Sequence, residues 1–306
     1  MIDPVSLADL TCRLQRAPAF SDPVGAVGAV LSDVVAAPEE AADATSKLAV
    51  ATPEGTAVFV TVSGDGNPDL VARGVRKLTK IRRKLSDHYA EPIVEPLETG
   101  EFEGRSFAIW PMLGQLPQGR LSRYLTKRGL RVKVMDWLSG MLAETKVPAG
   151  AQEQSRIAAN LARLSEDAAH SDLLRRAADA AGERLATGRW APVNCAQHSD
   201  LWMGNVMMSG PSAAMPFGVI DWAGARSAGY PFFDLCRFAI SSNAPSKLVD
   251  EHIARQLRVL HGERADVTSY VLCALGEMQS DLEHFPEEMF RAMAEETTVF
   301  ARQFSQ

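Results

Sequence analysis

Cysteine and histidine are scarce in this 306-residue chain, with four of the first and six of the second. Cys12, Cys195, Cys236 and Cys273 form no close pair, which excludes a zinc knuckle and a dense disulfide framework. Free thiols in a reducing cytoplasm are the simpler reading, so the expected location is cytoplasmic. Long hydrophobic runs are also missing. The longest apolar stretch near the N-terminus, residues 24–31, is too short and too glycine-rich to span a bilayer. Asp3 and Asp9 stand where a secretory leader would carry bases, so neither a signal peptide nor a membrane span is expected. Positive net charge is absent as well: the formal balance is −6, which argues against nucleic acid as a partner. No internal repeat is visible. What is present is 46% apolar and 23% charged residues, ordinary for a globular protein with a sizeable core. The length suits two domains, or two lobes of one domain.

Residues 1–40 are the least informative. Ser6 is placed to cap a short helix over residues 6–14, and Pro18, Pro23 and Pro38 punctuate the chain beyond it. From Ser46 the pattern sharpens. Residues 47–52 and 56–62 are β-rich runs around Pro53-Glu54-Gly55, a predicted hairpin. Asn67-Pro68-Asp69 then opens a predicted helix, with Asn as cap, Pro in the first turn and an acid near the positive end. Val71, Val75, Leu78, Ile81 and Leu85 share one face of it. The other faces carry Arg73, Arg76, Lys77, Lys80, Arg82, Arg83 and Lys84 with no acid between them. Such a run is usually a solvated face. Like charges repel along it, however, and an anionic ligand at residues 73–84 would offset that repulsion. Residues 106–110 read as a strand ending at Pro111. Beyond Met112 the periodicity is helical, over residues 121–127, 132–142, 157–164, 173–185, 248–260, 267–282 and 286–304. The expected division is a sheet-containing lobe over residues 1–112 and a larger, mostly helical lobe over residues 113–306.

One strand-like stretch interrupts the helical half. It reads Gln197-His198-Ser199-Asp200-Leu201-Trp202-Met203-Gly204-Asn205, then a turn-rich spacer, then Phe217-Gly218-Val219-Ile220-Asp221-Trp222. A His-x-Asp, an Asn shortly after it and an Asp closing the next apolar run have the layout of a kinase catalytic loop. The chemistry suits the residues. Phosphoryl transfer needs an acceptor hydroxyl placed in line, and Asp200 can take or orient its proton. Mg²⁺ needs hard oxygen ligands and accepts only one or two from protein; the Asn205 amide and the Asp221 carboxylate supply two. Either half alone is an ordinary set of turn residues. Together they are specific.

The stretch resembles the aminoglycoside phosphotransferase / choline kinase superfamily, small-molecule relatives of protein kinases. That family shows His-Gly-Asp-x-x-x-x-Asn, a strand ending Ile-Asp-Trp or Ile-Asp-Phe, and Gly-x-Pro-x-x-Asp-Leu. Here the three sub-motifs are His198 to Asn205, Val219-Ile220-Asp221-Trp222 and Gly229-Tyr230-Pro231-Phe232-Phe233-Asp234-Leu235, with Ser199 in place of the usual Gly. The resemblance implies an α+β, two-lobed protein-kinase-like fold with a small sheet-containing N-lobe and a larger helical C-lobe. It implies ATP and Mg²⁺ as cofactors and a small-molecule hydroxyl acceptor, such as a sugar, an amino-sugar or an amino alcohol. Asp200 is then the catalytic base with His198 and Asp234 supporting its loop, and Asn205 and Asp221 are the metal ligands. Phe107-Ala108-Ile109-Trp110-Pro111-Met112 looks like the last strand and hinge, with Trp110 and Met112 at the adenine.

The nucleotide clamp departs from the family. Members carry a Lys or Arg on the third strand, held by a Glu from the next helix. Here that strand reads Val58-Phe59-Val60-Thr61-Val62, the helix has no Glu, and residues 37–42 contain no Gly-rich loop. Lys47 on the preceding strand, or Arg73, Arg76 or Lys77 on the helix, are the candidate replacements. Two other classes stay open: a metal-dependent hydrolase ligated by His198, Asp200 and Asp221, and a nucleotide- or anion-sensing pseudokinase with a degenerate N-lobe. Trp202 and Trp222 flank the catalytic groups, and one of them could stack on a sugar-like acceptor. Glu277, Glu283 and His284 lie where the family builds its acceptor pocket.

Overall fold

The computed structural model describes residues 30–33, 45–51, 57–210, 213–282 and 285–305. The expected helix over residues 6–14, Pro18, Pro23, Pro38, the stretch 37–42, the turn 53–55, Glu283 and His284 lie outside the described residues. The chain groups into two compact units. The first comprises Met1–Thr79, Glu91–Gly114 and Met208–Ala223, and the second Lys80–Ala90, Gln115–Met207 and Gly224–Gln306.

The first unit is built on an antiparallel sheet of five strands: β1 (Val30–Asp33), β2 (Ser46–Ala51), β3 (Ala57–Val62), β4 (Glu98–Phe102) and β5 (Arg105–Pro111). Their spatial order is β1-β2-β3-β5-β4. The alternation of β3 decides which way the sheet faces. Val58, Val60 and Val62 are buried, while Phe59 and Thr61 on the opposite face are half-buried. The predicted hairpin is β2 with β3, in register from Ser46↔Val62 to Ala51↔Ala57. Strand β4 was not expected. Its Glu-Thr-Gly-Glu-Phe composition is poor for a strand, and it forms because β5 offers a complete ladder from Glu98↔Ile109 to Phe102↔Arg105.

Helix α1 runs over Leu70–Arg82, within the expected span. Two of its first N–H groups are satisfied from the sheet: Val71 donates to Ser63 Oγ (2.9 Å) and Ala72 to Ser106 Oγ (3.1 Å). The Ser63 and Ser106 hydroxyls bond each other at 2.8 Å, locking the helix start to the ends of β3 and β5.

The second unit is helical: α2 (Asp87–Ala90), α3 (Arg120–Thr145), α4 (Ala151–Glu166), α5 (Asp172–Ala186), α6 (Phe233–Ser242), α7 (Ser246–Leu260), α8 (Arg264–Gln279) and α9 (Glu287–Arg302). Residues 121–127 and 132–142 were expected as two helices and form the single α3, through Gly129. Its C-terminal half supplies the burial, with Val134, Met135, Trp137, Leu138, Met141 and Leu142 in the core. Two short strands, β6 (Val147–Pro148) and β7 (Val193–Gln197), pair with β10 (Arg226–Gly229) in the order β10-β7-β6. A further two-stranded sheet joins β8 (Val206–Met208) to β9 (Phe217–Val219). Cys195, Cys236 and Cys273 are buried free thiols.

Candidate active site

Strand β7 delivers the His-x-Asp segment. After Gln197 the chain turns through Ser199, which adopts φ 73°, a left-handed conformation that favours glycine. The turn is held from the start of α6. There Asp234 accepts the backbone N–H groups of His198 (2.6 Å) and Ser199 (2.9 Å). Burial pushes the Asp234 carboxyl up to about 7, against the pull of these two donors and with a smaller push from Asp200. His198 is fully buried, and its Nδ1 accepts the Asp200 N–H at 3.3 Å. It braces the loop from beneath, while Asp200 itself is exposed.

Asn205 lies one 3₁₀ turn further on. Its Nδ2 donates to the Asp200 carbonyl (2.8 Å) and to Asp200 Oδ2 (3.3 Å). With its nitrogen so engaged, the amide presents Oδ1 the other way, as a hard ligand for a divalent cation requires. Gly204 is there for Trp202: a Cβ at Gly204 would lie 2.2 Å from the indole ring. The third sub-motif has a similar cause. A Cβ at Gly229 would lie 2.3 Å from Gln197 Oε1, and that oxygen accepts the Tyr230 N–H at 2.7 Å. Phe232, at φ 65°, makes the turn that brings Asp234 into the first turn of α6.

Asp221 belongs to the first unit and is exposed. It too is left-handed, at φ 66°. Ser199, beside Asp200, and Asp221 itself are thus two of the six described non-glycine residues at positive φ. The neighbouring Trp222 is buried and donates Nε1–H to the Val219 carbonyl at 3.0 Å. Strand β9 is tied to the sheet unit by a bridge between Val219 and Ile93, and Gly114 exchanges backbone hydrogen bonds with Met208 (3.0 and 2.8 Å). The segment beyond Asp221 is held by α1: Lys77 Nζ donates to the Ala223 carbonyl at 2.6 Å. Gly74 of the same helix approaches so closely that a Cβ there would lie 3.4 Å from Ala223 Cα.

The expected nucleotide residues also lie in the first unit. Trp110 Nε1 donates to Thr61 Oγ1 at 3.0 Å on the half-open face of the sheet, and Met112 follows β5, exposed. Lys47 is half-exposed on β2, with Thr61 as its direct cross-strand neighbour. Arg73 acts on the Asp69 carboxylate, which Arg76 grips at 2.6 Å; Arg76 foremost, then Arg73, hold that carboxyl below its usual range. Lys77, Arg76, Arg82 and Lys84 of this basic run each bind a carbonyl or carboxylate of the chain, and Arg73 acts on Asp69.

Sequence reasoning did not find the hub beneath β10. Glu277 of α8 is buried and accepts from Arg156 (2.8 Å), Arg226 and the Tyr230 hydroxyl (2.8 Å). The same hydroxyl lies 3.0 Å from Glu153, and Arg156 bonds Glu153 at 2.6 Å. Glu277 is therefore neutralised from within rather than open to an acceptor. Of the two tryptophans, Trp222 is 3% exposed and Trp202 48%. Among the described residues no group of three or more His, Cys, Asp or Glu can hold a metal ion. Nor is any described helix long and apolar enough to cross a membrane.

Solved structures share the architecture. The macrolide 2'-phosphotransferase MphH from Brachybacterium faecium matches at 17% identity, over 96% of this chain and 97% of its own, with a TM-score of 0.56. A thermostable mutant of aminoglycoside phosphotransferase APH(4)-Ia matches at 18% identity, over 93% and 98%, with a TM-score of 0.52. A choline/ethanolamine kinase family protein from Mesorhizobium loti matches at 12% identity, over 98% and 95%, with a TM-score of 0.50. At such identities the likeness shows the fold, which is the expected α+β, protein-kinase-like one. No curated protein matches by sequence. The family model described as "Phosphotransferase enzyme family" covers residues 67–267, more than half of the chain and all three sub-motifs. The chain therefore belongs to the phosphotransferase enzyme family, whose members phosphorylate alcohol groups of small molecules.

Proposed function

We propose that this enzyme transfers the γ-phosphoryl group of ATP to a hydroxyl of a sugar, amino-sugar or amino-alcohol-like acceptor, with Mg²⁺ as cofactor. The observation that carries the reading is the pair Asp200 and Asn205. One amide nitrogen holds both the backbone and the carboxylate of Asp200, so the base and a metal-type oxygen are fixed by the same hydrogen bonds. In the proposed step the acceptor oxygen bonds to the γ-phosphorus as the bond to the bridging oxygen of ADP breaks. The hydroxyl proton passes to the Asp200 carboxylate. Asn205 Oδ1 and the Asp221 carboxylate would hold the cation, which neutralises charge on the phosphate oxygens. Residues 1–112 would serve as the nucleotide lobe, with the adenine at Trp110–Met112, and residues 113–306 as the catalytic and acceptor lobe. Trp202 is the tryptophan with an open face, which favours an acceptor with a ring or apolar surface to stack.

The test is thermal stabilisation by ATP with and without Mg²⁺, joined to turnover in a phosphorylation screen. Wild type should be stabilised by ATP in a Mg²⁺-dependent way, and Asp221→Ala should lose that dependence. Asp200→Asn should bind nucleotide and lose turnover. Full activity in Asp200→Asn, or no Mg²⁺-dependent stabilisation of wild type at millimolar ATP, would sink the reading.

A further inference from the structure

Helix α3 carries two apolar stripes, and only one of them is used inside the molecule. Leu130, Val134, Trp137 and Met141 follow one another at helical steps and are buried. Leu121, Leu125 and Val132 stand nine residues before Leu130, Val134 and Met141 respectively. Nine residues are about two and a half turns, so the earlier member of each pair points the opposite way. Tyr124 lies beside Leu121 on that outer side, one turn along. All four are exposed, Leu121 by 72%. None of residues 120–129 is buried, and Gly119 gives the helix start no side-chain cap. A helical stretch of that length is marginal in water without packing, so this half of α3 lacks a surface to rest on.

The same half carries charge of one sign. Arg120, Arg123, Lys127, Arg128, Arg131 and Lys133 are six bases with no acid before Asp136, in a chain whose balance is −6. Arg120, Arg123, Lys127 and Arg131 follow at three- and four-residue steps, a row along which like charges repel. Helix α1 spends such bases on the chain itself. On α3 Arg131 does so, donating to the Ser242 carbonyl. Among the described residues the side chains of Arg120, Arg123, Lys127 and Arg128 have neither a hydrogen bond nor an ion pair. Tyr124 is one turn from Arg120, Lys127 and Arg128, so the basic row borders the apolar stripe. This is the layout of a helix lying in a membrane interface: apolar side chains at the acyl boundary, aliphatic stems beside them, and cationic heads on anionic lipid. A tyrosine suits that depth, with its ring apolar and its hydroxyl wet. Nucleic acid would use the bases and leave Leu121 and Leu125 in water. A second copy packed stripe to stripe would bring two such rows and no acid into one interface.

We infer that residues 120–133 of α3 dock this protein on an anionic lipid surface, with Leu121, Tyr124, Leu125 and Val132 at the acyl boundary and Arg120, Arg123, Lys127 and Arg128 on the head groups. Lipid docking is independent of the phosphotransfer reading. The full chain is to be sedimented with vesicles of phosphatidylcholine and with vesicles of equimolar phosphatidylcholine and phosphatidylglycerol. Wild type is compared with Arg120→Glu/Arg123→Glu, with Leu121→Ser/Leu125→Ser and with the control Arg176→Glu/Lys247→Glu, which reverses two bases outside α3. Every changed side chain is exposed, which keeps the fold. Wild type should partition onto the anionic vesicles at least about tenfold better than onto the neutral ones. The α3 charge variant and the leucine variant should each lose about tenfold or more of that partition. The control should bind about as wild type does, because screening confines the effect to bases at the lipid surface. Wild type that sediments with neither vesicle overturns lipid docking, and a dimer in analytical ultracentrifugation that the leucine variant dissolves would then give the stripe to a second copy. Docking is overturned too if the leucine variant binds as wild type does, because the bases alone then hold any polyanion, nucleic acid included. A control that loses as much as the α3 variants overturns it as well, since net charge then decides the binding.

Discussion

Replacing Ser199 by glycine should make the protein more stable, although the residue sits beside Asp200, the proposed catalytic base. Three contributions decide the sign. Ser199 holds φ 73°, and an L-residue in the left-handed region costs roughly 1–2 kcal/mol. Its side chain is buried and its Oγ has no hydrogen-bond partner among the described residues. A hydroxyl in that state costs about 1–3 kcal/mol of desolvation, toward the low end if water reaches it. Against both stands the greater freedom of glycine in the unfolded chain, about 0.5–1 kcal/mol. The net is a gain of about 1 kcal/mol or more, or a rise of about 2 °C in Tm for a chain of this size. Equilibrium denaturation of wild type, Ser199→Ala and Ser199→Gly separates the contributions. Alanine keeps the strained backbone and removes the hydroxyl, so wild type against alanine reads the polar part and alanine against glycine reads the backbone part. Turnover should change little, because Asp234 holds the residue-199 N–H at 2.9 Å whatever the side chain. A glycine variant less stable than both others would refute the reasoning, for it would mean that neither the strain nor the unpaired hydroxyl is real.

The same loop supplies two further predictions. Gly229→Ala would set a Cβ 2.3 Å from Gln197 Oε1 and 2.5 Å from Gln197 Cβ, so the residue before His198 must move. A loss of about 1–3 kcal/mol in denaturation is expected with a fall in turnover, and a silent variant would show that β7 and β10 tolerate slack. Asp234 should give the protein a pH dependence. Its carboxyl is raised from 3.8 to about 7, so between these values the folded chain keeps a proton that the unfolded chain releases. Its contribution is thus present at the acid end of the window and lost as pH rises through 7, on the order of a few kcal/mol. Melting temperatures at pH 5 and pH 8 should differ more in wild type than in Asp234→Asn; equal differences would remove Asp234 as the source.

How much of this molecule is legible in its sequence depends on where the deciding interaction lies. The β2–β3 hairpin was legible because its pattern is local: β-branched residues alternate and a turn separates the runs. Strand β4 was not, because Glu98 to Phe102 become a strand only on the ladder of β5. Helix α3 was read as two because Gly129 and a basic run weaken its middle, yet the buried Trp137 and Met141 half anchors it as one. At the site, Asp200, Asn205, Asp221 and Asp234 were nameable because each stands within a short motif. The reason for that motif's glycines was not, since it lies in Trp202 and Gln197, the side chains that fill the space a Cβ would need. The acid-free helix shows the limit most clearly. Its bases suggested an anion site, but Lys77 reaches the carbonyl of Ala223, 146 residues away in the chain, and Lys84 that of Ser227, 143 away. A backbone carbonyl is an acceptor that no sequence pattern advertises, because every residue carries one. Charge on a helix therefore says that an acceptor is wanted without saying whether it is a ligand or the chain itself. In this enzyme the basic run spends Lys77 and Lys84 on the chain following Asp221.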